Sequence, residues 1–341
     1  MRLIEKVWFD NHSAKWWLVL LLLPLTVFFF ILSSIRRFAF GLGLFKSYSV
    51  SKPVIVVGNI GVGGNGKTPV VIHLVELAKT LGLKPGVISR GYGGKADVYP
   101  YSLSKLSTTE QAGDEPIIIF KRCDVPVVVG SDRVANAQKL IELGCDVIIS
   151  DDGLQHYRLQ RDLEIIVVDG KRLFGNGLLL PAGPLREGAW RLNNADIVIF
   201  NGESKTRKGD FQIRDKSSLM SLVATKLCHI QTGEEVCLTD FLANNIKVNA
   251  IAGIGSPQRF FDTLQQLGFY LEKQQGFIDH KNFTPHDFNQ FKDDLPLLMT
   301  EKDAVKCQKF TQINWWYLPV DAQFSEQDEQ VLRQHIKQLA S

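Results

Sequence analysis

The sequence feature that most constrains the fold is a glycine-rich loop between an apolar run and a helical pattern. Residues 53–57 are continuously apolar, as in a strand that is buried on both faces, and the run ends at Gly58. The loop that follows has the sequence GVGGNGKT (61–68), and apolar side chains recur at helical spacing over residues 68–81. Such glycines let backbone N–H groups converge on phosphate oxygens at a helix N-terminus. This strand–loop–helix order predicts a phosphate-binding loop, or P-loop.

The P-loop pattern predicts a nucleotide site whose members are consecutive in the chain: Gly61, Val62, Gly63, Gly64, Asn65, Gly66, Lys67 and Thr68. The Lys67 ammonium is expected to reach the β- and γ-phosphates and to act in catalysis, and the Thr68 hydroxyl is expected to bind Mg²⁺. No Asn-Lys-x-Asp guanine-reading motif is present in the sequence, because TEKD (300–303) has the wrong order. The pattern therefore favours ATP over GTP.

A second apolar run, residues 147–150, ends in the acidic pair Asp151 and Asp152. A carboxylate at such a strand end binds the magnesium ion of P-loop enzymes. Successive side chains of a strand point to opposite faces, so only one of the two is expected to face the metal directly. The sequence does not say which one, and both remain candidate metal ligands.

Short apolar runs and helical patterns alternate along most of the chain, which predicts an α/β fold with a parallel sheet and helices on both faces. Between about 203 and 245 the pattern changes to two strands around Thr232-Gly233, typical of a β-hairpin. A second alternating stretch begins near residue 248. The predicted organisation is a membrane-anchoring segment (1–46), a P-loop core domain (47–205), a β-hairpin linker (206–245) and a smaller C-terminal α/β domain (246–341).

Residues 16–35 contain no charged side chain, and a helix of this length spans about 30 Å, the thickness of a bilayer's hydrocarbon core. Two tryptophans begin the segment, and Arg36 and Arg37 follow it. A cleaved signal peptide is disfavoured because the apolar stretch is long and no small-x-small site follows it. Pro24 leaves open a bent helix that lies in one leaflet. The basic residues after the segment favour a cytoplasmic body.

Charge and cysteine content exclude several functional classes. The net charge is +3, and residues 1–46 carry six basic and two acidic side chains, a net of +4, so the remaining chain is nearly neutral. A nucleic-acid partner is not expected, because it requires concentrated positive charge. The five cysteines are odd in number, widely spaced and without a CxxC pair, which argues against a disulfide framework or a zinc site. No obligate protein partner is evident.

Other polar segments follow predicted strands at the same sheet edge, where α/β folds assemble their sites. Each also has a purely structural explanation. Asp114 is placed to cap a helix, Gly-rich residues 91–94 suit a turn, and His156 suits a hydrogen-bonded structural role.

Together these segments resemble one family, the tetraacyldisaccharide 4′-kinases of lipid A biosynthesis. The resemblance rests on GNIGVGGNGKTP (58–69), SRGYGG (89–94), GDEP (113–116), SDR (131–133), DDGLQH (151–156), PAGPLRE (181–187), DH (279–280) and TEKDAVK (300–306). It covers nearly the whole chain, including the N-terminal apolar segment. It implies a kinase of the inner membrane, with its catalytic body on the cytoplasmic side. Its reaction would be transfer of the ATP γ-phosphate to the 4′-hydroxyl of a tetraacyldisaccharide 1-phosphate, forming lipid IVA.

The resemblance also implies roles for single residues. Asp114 would be the catalytic base, and His280 would be its partner from the smaller domain. Contacts to the substrate or to a phosphate are implied for the remaining motif positions, namely Arg90, Tyr92, Arg133, His156, Arg186 and Glu187. The partners would be a membrane-embedded acylated disaccharide 1-phosphate and the lipid surface of the inner membrane.

Two other hypotheses share the P-loop. A membrane-tethered ATPase or GTPase that works as a switch or a transport motor would carry a guanine motif or a partner-ATPase signature, and neither is visible in the sequence. A soluble metabolite kinase leaves the apolar residues 16–35 unexplained. ATP turnover that depends strictly on an acylated disaccharide distinguishes the kinase hypothesis from both.

Overall fold

The computed structural model describes residues 3–10, 12–13, 15–202, 216–279, 281–291 and 294–340. Its helices are α1 (Leu3–Phe9), α2 (Lys15–Gly41), α3 (Lys67–Thr80), α4 (Thr109–Ala112), α5 (Asp114–Cys123), α6 (Arg133–Glu142), α7 (Leu238–Asn244), α8 (Pro257–Gln266), α9 (Glu301–Cys307) and α10 (Glu326–Ala340). Its strands are β1 (Val54–Gly58), β2 (Pro85–Ser89), β3 (Tyr101–Ser102), β4 (Val127–Val129), β5 (Val147–Asp151), β6 (Leu163–Asp169), β7 (Ile197–Asn201), β8 (Ser217–Val223), β9 (Lys226–His229), β10 (Glu235–Cys237), β11 (Lys247–Ala252), β12 (Tyr270–Gly276), β13 (Leu297–Thr300), β14 (Trp315–Leu318) and β15 (Asp321–Phe324). Short 3₁₀ helices cover Ala189–Asn194 and Pro285–Phe291.

The larger sheet confirms the predicted α/β fold. In the described residues it has nine strands in the order β15-β8-β7-β6-β1-β5-β2-β4-β3. The inner strands pair in parallel, and only the edge strands β15 and β3 pair antiparallel. Ile55 and Val57 pack in one core with α3 and α5, while Val54 and Val56 pack in another core with α6. This alternation places helices on both faces, and we call this part of the chain the first domain.

The smaller sheet forms a second domain with its own hydrophobic cores. Its described strands lie in the order β10-β9-β14-β13-β11-β12, and the strands from β14 to the edge strand β12 pair in parallel. Helix α8 contributes Phe260, Phe261 and Leu264 to one core. Helix α9 contributes Ala304 and Cys307 to the core on the other face.

The strand pairing differs from the predicted domain boundaries in two places. The hairpin β9–β10 forms around Thr232-Gly233 as predicted, but its strands join the second sheet and β8 joins the first. The chain then returns after β14, so that Ala322 of β15 and Leu332 and Ile336 of α10 are buried in a core of the first domain. Periodicity could not predict this return, because the pairing of β15 with β8 joins segments about a hundred residues apart.

Helix α2 contains the predicted apolar segment and extends six residues beyond it, to Gly41. It is the one described helix with the length and hydropathy to cross a membrane. Its middle nevertheless contacts the first domain, because the Thr26 hydroxyl accepts a hydrogen bond from the Ala182 amide at 3.0 Å. Further along, the Arg37 guanidinium lies 4.4 Å from the Trp190 ring centroid and 3.7 Å from the Glu187 carboxylate. The outer face of α2 is exposed and apolar.

Candidate functional site

The P-loop presents unpaired backbone donors at the carboxyl-terminal edge of the first sheet, which we call the carboxyl edge. Helix α3 begins at Lys67, and its N-cap Gly66 has φ +93° and supplies no side-chain cap. Gly63 has φ +107°, and both values lie in the left-handed region that favours glycine. The first N–H groups of α3 therefore point out of the helix end without an internal partner, and the helix dipole favours an anion there.

Two neighbouring segments hold the P-loop in place. The Asn201 side chain, at the end of β7, donates a hydrogen bond to the Asn65 carbonyl at 3.1 Å. A Cβ atom on Gly66 would lie only 2.7 Å from the Asn201 amide nitrogen, so glycine is required there for packing as well as conformation. On the other side, the Val62 amide donates to the Pro184 carbonyl at 2.9 Å. Asn201 was not predicted as a site residue, although it directly follows the apolar run 197–200.

Lys67, Asp152 and Arg186 form an ion-pair cluster beside the P-loop. The Lys67 ammonium lies 3.7 Å from the Asp152 carboxylate, and Arg186 donates to both oxygens of that carboxylate, at 3.1 and 3.3 Å. Burial raises the pKa of Asp152, but Lys67 and Arg186 together outweigh it and leave the pKa below its usual value. The carboxylate is therefore ionised and holds two cations where phosphates are expected.

Asp151 has different surroundings from its neighbour. Its side chain is buried, Ser89 donates to one carboxylate oxygen at 3.4 Å, and the other oxygen, Oδ1, has no hydrogen-bond partner in the described residues. Burial, followed by the negative charge of Glu115, raises the pKa of Asp151 to about 7. A carboxyl group with this pKa is fully ionised at neutral pH only when a cation lies next to it.

The donor set at this edge fits a magnesium ion. The described residues contain no group of three or more His, Cys, Asp and Glu side chains that could hold a metal on their own. Mg²⁺ keeps several waters and binds through one or two protein oxygens together with phosphate oxygens. The Asp151 carboxylate, with its unpartnered oxygen, and the Thr68 hydroxyl at the start of α3 are donors of this kind.

Arg133 is buried and contacts the backbone of the acidic pair. Its guanidinium is 4% exposed and donates to the Ser150 hydroxyl (2.6 Å), the Asp151 carbonyl (2.7 Å) and the Asp152 carbonyl (2.9 Å). These bonds fix the backbone turn that carries both carboxylates. The predicted contact of Arg133 with substrate stays a prediction, whereas its contacts in the structure position the acidic pair.

Glu187 is likewise inside the protein, at 3% exposure. It accepts hydrogen bonds from the Gln155 amide at 2.9 Å and from the Tyr157 hydroxyl at 2.7 Å, and Arg191 lies 3.3 Å away. Together with the Arg37 contact, these bonds connect α2 to the loop after β5. Glu187 therefore buttresses this loop, and its predicted contact with substrate remains a prediction.

His156 lies in the same loop and is uncharged near neutral pH. Burial, followed by the positive charges of Arg133, Arg161 and Arg36, lowers the pKa of His156 to about 4. Its ring nitrogen Nε2 has no hydrogen-bond partner in the described part of the chain. Because this nitrogen is also buried, the predicted contact of His156 with substrate stays a prediction.

Asp114 begins α5 and is contacted from the second domain. The ammonium groups of Lys306 and Lys302, both on α9, lie 3.6 and 3.8 Å from its carboxylate. Lys302 also lies 3.2 Å from Glu115 and 3.9 Å from Asp279. Burial lowers the pKa of Lys302, but these carboxylates outweigh it and raise the pKa, so the ammonium stays charged. His280, the predicted partner of Asp114, lies outside the described residues.

Arg90 and Tyr92 follow β2 at the carboxyl edge, and both side chains are exposed. The loop that carries them packs on the GDEP turn, since a Cβ atom on Gly113 would lie 2.5 Å from the Tyr92 carbonyl. The structure thus places the backbone of Tyr92 against Gly113, the residue before Asp114, and leaves both predicted side chains accessible.

Arg172 is a further residue at the P-loop that the sequence did not single out. A Cβ atom on Gly63 would lie 3.8 Å from the Arg172 guanidinium, which packs over the Phe9 ring of α1 at 4.8 Å. Asp169 at the end of β6 accepts from the Arg172 amide at 3.1 Å, and its other oxygen pairs with Arg259 of the second domain. A sequence signal was available, because DGKR (169–172) directly follows the apolar run 165–168.

The carboxyl edge thus brings together the P-loop amides, the Lys67 and Arg186 cations and the buried Asp151 carboxylate. This combination is suited to a magnesium-bound polyphosphate. The Asp114 carboxylate, which two lysines contact, is suited to accepting a proton from a hydroxyl. The geometry therefore supports phosphoryl transfer to an alcohol.

Comparisons with known proteins agree with this chemistry over the whole chain. The family model described as LpxK, tetraacyldisaccharide-1-P 4′-kinase, matches residues 18–340. A tetraacyldisaccharide 4′-kinase of Colwellia psychrerythraea is 63% identical over 97% of this chain and 96% of its own length. One of Vibrio vulnificus is 49% identical over 99% of this chain and 97% of its own. A crystal structure of the apo form of LpxK from Aquifex aeolicus in complex with ATP superposes with a TM-score of 0.77 and 29% identity, covering 95% of this chain and 100% of that one.

Proposed function

The chain belongs to the tetraacyldisaccharide 4′-kinase family, and we propose that it transfers the γ-phosphate of ATP to the 4′-hydroxyl of a tetraacyldisaccharide 1-phosphate to form lipid IVA. The observation that carries this proposal is the juxtaposition at the carboxyl edge. The P-loop with Lys67 follows β1, and the acidic pair lies at the end of the neighbouring parallel strand β5. The turn that carries Asp114 packs on the loop after β2, the next strand in the sheet.

The P-loop would bind the phosphates of ATP. Its open amides and the α3 N-terminus attract the anion, and the Lys67 ammonium would leave Asp152 to contact the β- and γ-phosphates. Arg186 already neutralises Asp152, so this exchange leaves no uncompensated carboxylate. Asn201 keeps the loop backbone in the required conformation throughout.

Asp151 and Thr68 would hold Mg²⁺. The ion, when bound, neutralises negative charge on the phosphate oxygens. The buried and unpartnered Asp151 oxygen supports Asp151, rather than Asp152, as the carboxylate that faces the metal. Arg133 fixes the position of Asp151 through its backbone carbonyl.

Asp114 would accept the proton of the 4′-hydroxyl as that oxygen attacks. Asp114 is 5% exposed at the N-terminus of α5, and the sugar would approach it from the side of the exposed Tyr92 loop. We retain His280 as its proposed partner on sequence grounds alone. Because the lysines that contact Asp114 come from α9, closure of the second domain would complete the site and exclude water.

The contacts of α2 support attachment to one leaflet rather than a full span. The helix contacts the first domain at Thr26 and again near its C-terminal end, where Arg37 lies beside Glu187 and the Phe40 ring lies 5.8 Å from that of Tyr157. Only residues 15–25, about 16 Å of helix, extend beyond these contacts, against the roughly 30 Å that a hydrocarbon core requires. We propose that α2 inserts its exposed apolar face into the cytoplasmic leaflet of the inner membrane and that the catalytic body remains on that side.

Thiol labelling with a membrane-impermeant reagent tests this orientation. Of the five cysteines only Cys237 is exposed, so its labelling shows on which side of the membrane the catalytic body lies. Ser13→Cys in a Cys237→Ser background shows the same for the exposed segment before α2. One-leaflet attachment predicts that both sites are labelled in inside-out vesicles and that neither is labelled in spheroplasts. Labelling of Ser13→Cys from the outside only would show that α2 spans the bilayer.

The reaction itself is tested by transfer of labelled γ-phosphate from ATP to tetraacyldisaccharide 1-phosphate, with Mg²⁺ and detergent. We expect a labelled, doubly phosphorylated lipid, and no product with Lys67→Ala, which removes the main cation of the P-loop. Lys79→Ala, at the far end of α3, is the matched control and should retain activity. ATP hydrolysis at full rate without any lipid would instead favour the switch hypothesis.

A further inference from the structure

A buried lysine of the second domain, Lys306, contacts Asp114 across the domain boundary. Its ammonium lies 3.6 Å from the Asp114 carboxylate and 3.7 Å from that of Asp303, and the side chain is 7% exposed. Lys302, one turn earlier on α9, lies closer to Glu115 than to Asp114. The two lysines therefore differ in burial and in the carboxylate that each contacts most closely.

Lys306 carries a charge in a place where a charge is costly. Its ammonium has no partner at hydrogen-bond distance in the described residues, and the ring of Phe283 lies 5.7 Å away. Removing an ammonium from water costs several kcal/mol, and a pair of this kind is weak support for stability. The cost of keeping the charge here is explained better by an effect on Asp114 than by stabilisation of the fold.

Asp303 anchors Lys306 to the second domain. The Asp303 carboxylate is fully buried and accepts hydrogen bonds from the Gly253 amide at 2.9 Å and from the Thr300 hydroxyl at 2.6 Å. Asp303 and Lys306 are also three residues apart on α9, so the helix fixes their spacing. The position of the ammonium is thus set by the second domain, while the carboxylate that it contacts belongs to the first.

We propose that Lys306 is a positioning residue for phosphoryl transfer, which keeps the Asp114 carboxylate ionised and oriented once the second domain is in place. The inference rests on the proposed function of Asp114 as the base. Within the described part of the chain, the charged groups with a measured contact to Asp114 are Lys302 and Lys306 from α9; Glu115 follows it on its own helix, and Asp303 and Asp279 lie beyond the lysines. Of these, Lys306 is the cation closest to the Asp114 carboxylate.

The test is the pH dependence of kcat for Lys306→Met and Lys306→Arg in the full chain, with ATP and lipid saturating. A cation within 4–6 Å favours the ionised carboxylate by about 1–3 pH units. Lys306→Met should therefore move the acid limb of the profile upward by about one unit or more, with little change in the KM for ATP. Lys306→Arg, which keeps the charge, should restore the wild-type limb.

Lys309→Met is the matched control. Lys309 forms another lysine–carboxylate pair across the same boundary, 3.0 Å from Glu110, but both side chains are exposed and neither contacts Asp114. If Lys306 only held the two domains together, Lys306→Met and Lys309→Met would change kcat equally at every pH. That result would overturn the proposal. An acid limb that does not move in Lys306→Met would overturn it as well. Lys306→Gln, of similar length but uncharged, replaces Lys306→Met if that variant does not fold, with the same expected shift.

Asp114→Asn separates the two proposals. Near-wild-type turnover of Asp114→Asn would contradict the proposed role of Asp114 as the base. Loss of turnover in Asp114→Asn together with a wild-type profile for Lys306→Met would leave that role standing and overturn only the role of Lys306.

Discussion

At the scale of single residues, the acidic pair shows how neighbours in sequence acquire different functions. Asp152 is paired with Lys67 and Arg186, whereas Asp151 is buried with one unpartnered oxygen in the described residues. The alternation of side chains along a strand predicts a difference between them but not its direction. Only the packing of Ser89 and Arg133 around the end of β5 distinguishes them.

We expect Asp151→Asn to raise the Mg²⁺ concentration required for half-maximal phosphoryl transfer by about tenfold or more, because it removes a ligand charge. Asp152→Asn should shift the Mg²⁺ requirement less and should lower turnover mainly by disturbing Lys67 and Arg186. Magnesium titrations of the two variants in the transfer assay compare them directly. A larger shift for Asp152→Asn would reverse the assignment.

The pH dependence of stability tests the surroundings of His156. Its pKa is lowered to about 4 from the usual 6.5, so the folded state binds fewer protons than the unfolded state between these values. The free energy of unfolding should therefore fall as the pH falls from about 6.5 to 4, by about 1–2 kcal/mol once partial exposure is allowed for.

His156→Gln should remove this part of the pH dependence, which the wild type keeps. Urea unfolding in detergent at a series of pH values measures both. Parallel curves for wild type and His156→Gln would show that the imidazole does not titrate differently on folding.

At the scale of elements, the P-loop depends on its neighbours as well as on its own glycines. The sequence predicted the loop, its preceding strand and the helix after it to within one or two residues. It did not predict that the side chain of Asn201 and the backbone of residues 184–186 hold the loop. These contacts come from segments more than a hundred residues away in the chain, which local patterns do not report.

Gly66→Ala should weaken ATP binding severely. A left-handed backbone costs a non-glycine residue about 1–3 kcal/mol, and the new methyl group would also meet Asn201 at 2.7 Å. Gly82→Ala, at φ +79° with open space around it, is the matched control because it carries the conformational cost alone. Isothermal titration with ATP should show a loss of affinity for Gly66→Ala only, while thermal unfolding shows a lower Tm for both.

At the scale of the whole molecule, the outer face of α2 is the largest exposed apolar surface that the described residues show. Trp17 is 80% exposed, Leu21 74% and Phe28 62%, whereas Thr26 is buried against the first domain. Each such side chain contributes about 1.5–3 kcal/mol of favourable free energy when it is transferred from water to an apolar environment. In the proposed function, insertion of this surface into the membrane would hold the enzyme close to its lipid substrate.

The triple variant Trp17→Ser, Leu21→Ser and Phe28→Ser should therefore move from the membrane fraction to the soluble fraction while it retains ATP binding. Ile313→Ser, which removes an 84% exposed apolar side chain from the second domain, is the control and should stay with the membrane. Flotation with liposomes of inner-membrane composition measures the partition. A triple variant that still floats completely would show that other surfaces bind lipid.

The sequence alone determined the features that depend on local periodicity and on short motifs. These are the buried parallel strands, the P-loop, the apolar helix and the polar residues that follow strands, because adjacent residues report their own backbone conformation and burial. Tertiary structure alone decided which distant segments meet. The return of residues 321–340 to the first domain reverses the order of domains along the chain. The packing of Thr26 on Ala182 and the contact of Lys306 with Asp114 each join residues about 150 or more positions apart. Such contacts depend on the balance of burial and charge in the assembled fold, and no local pattern encodes that balance.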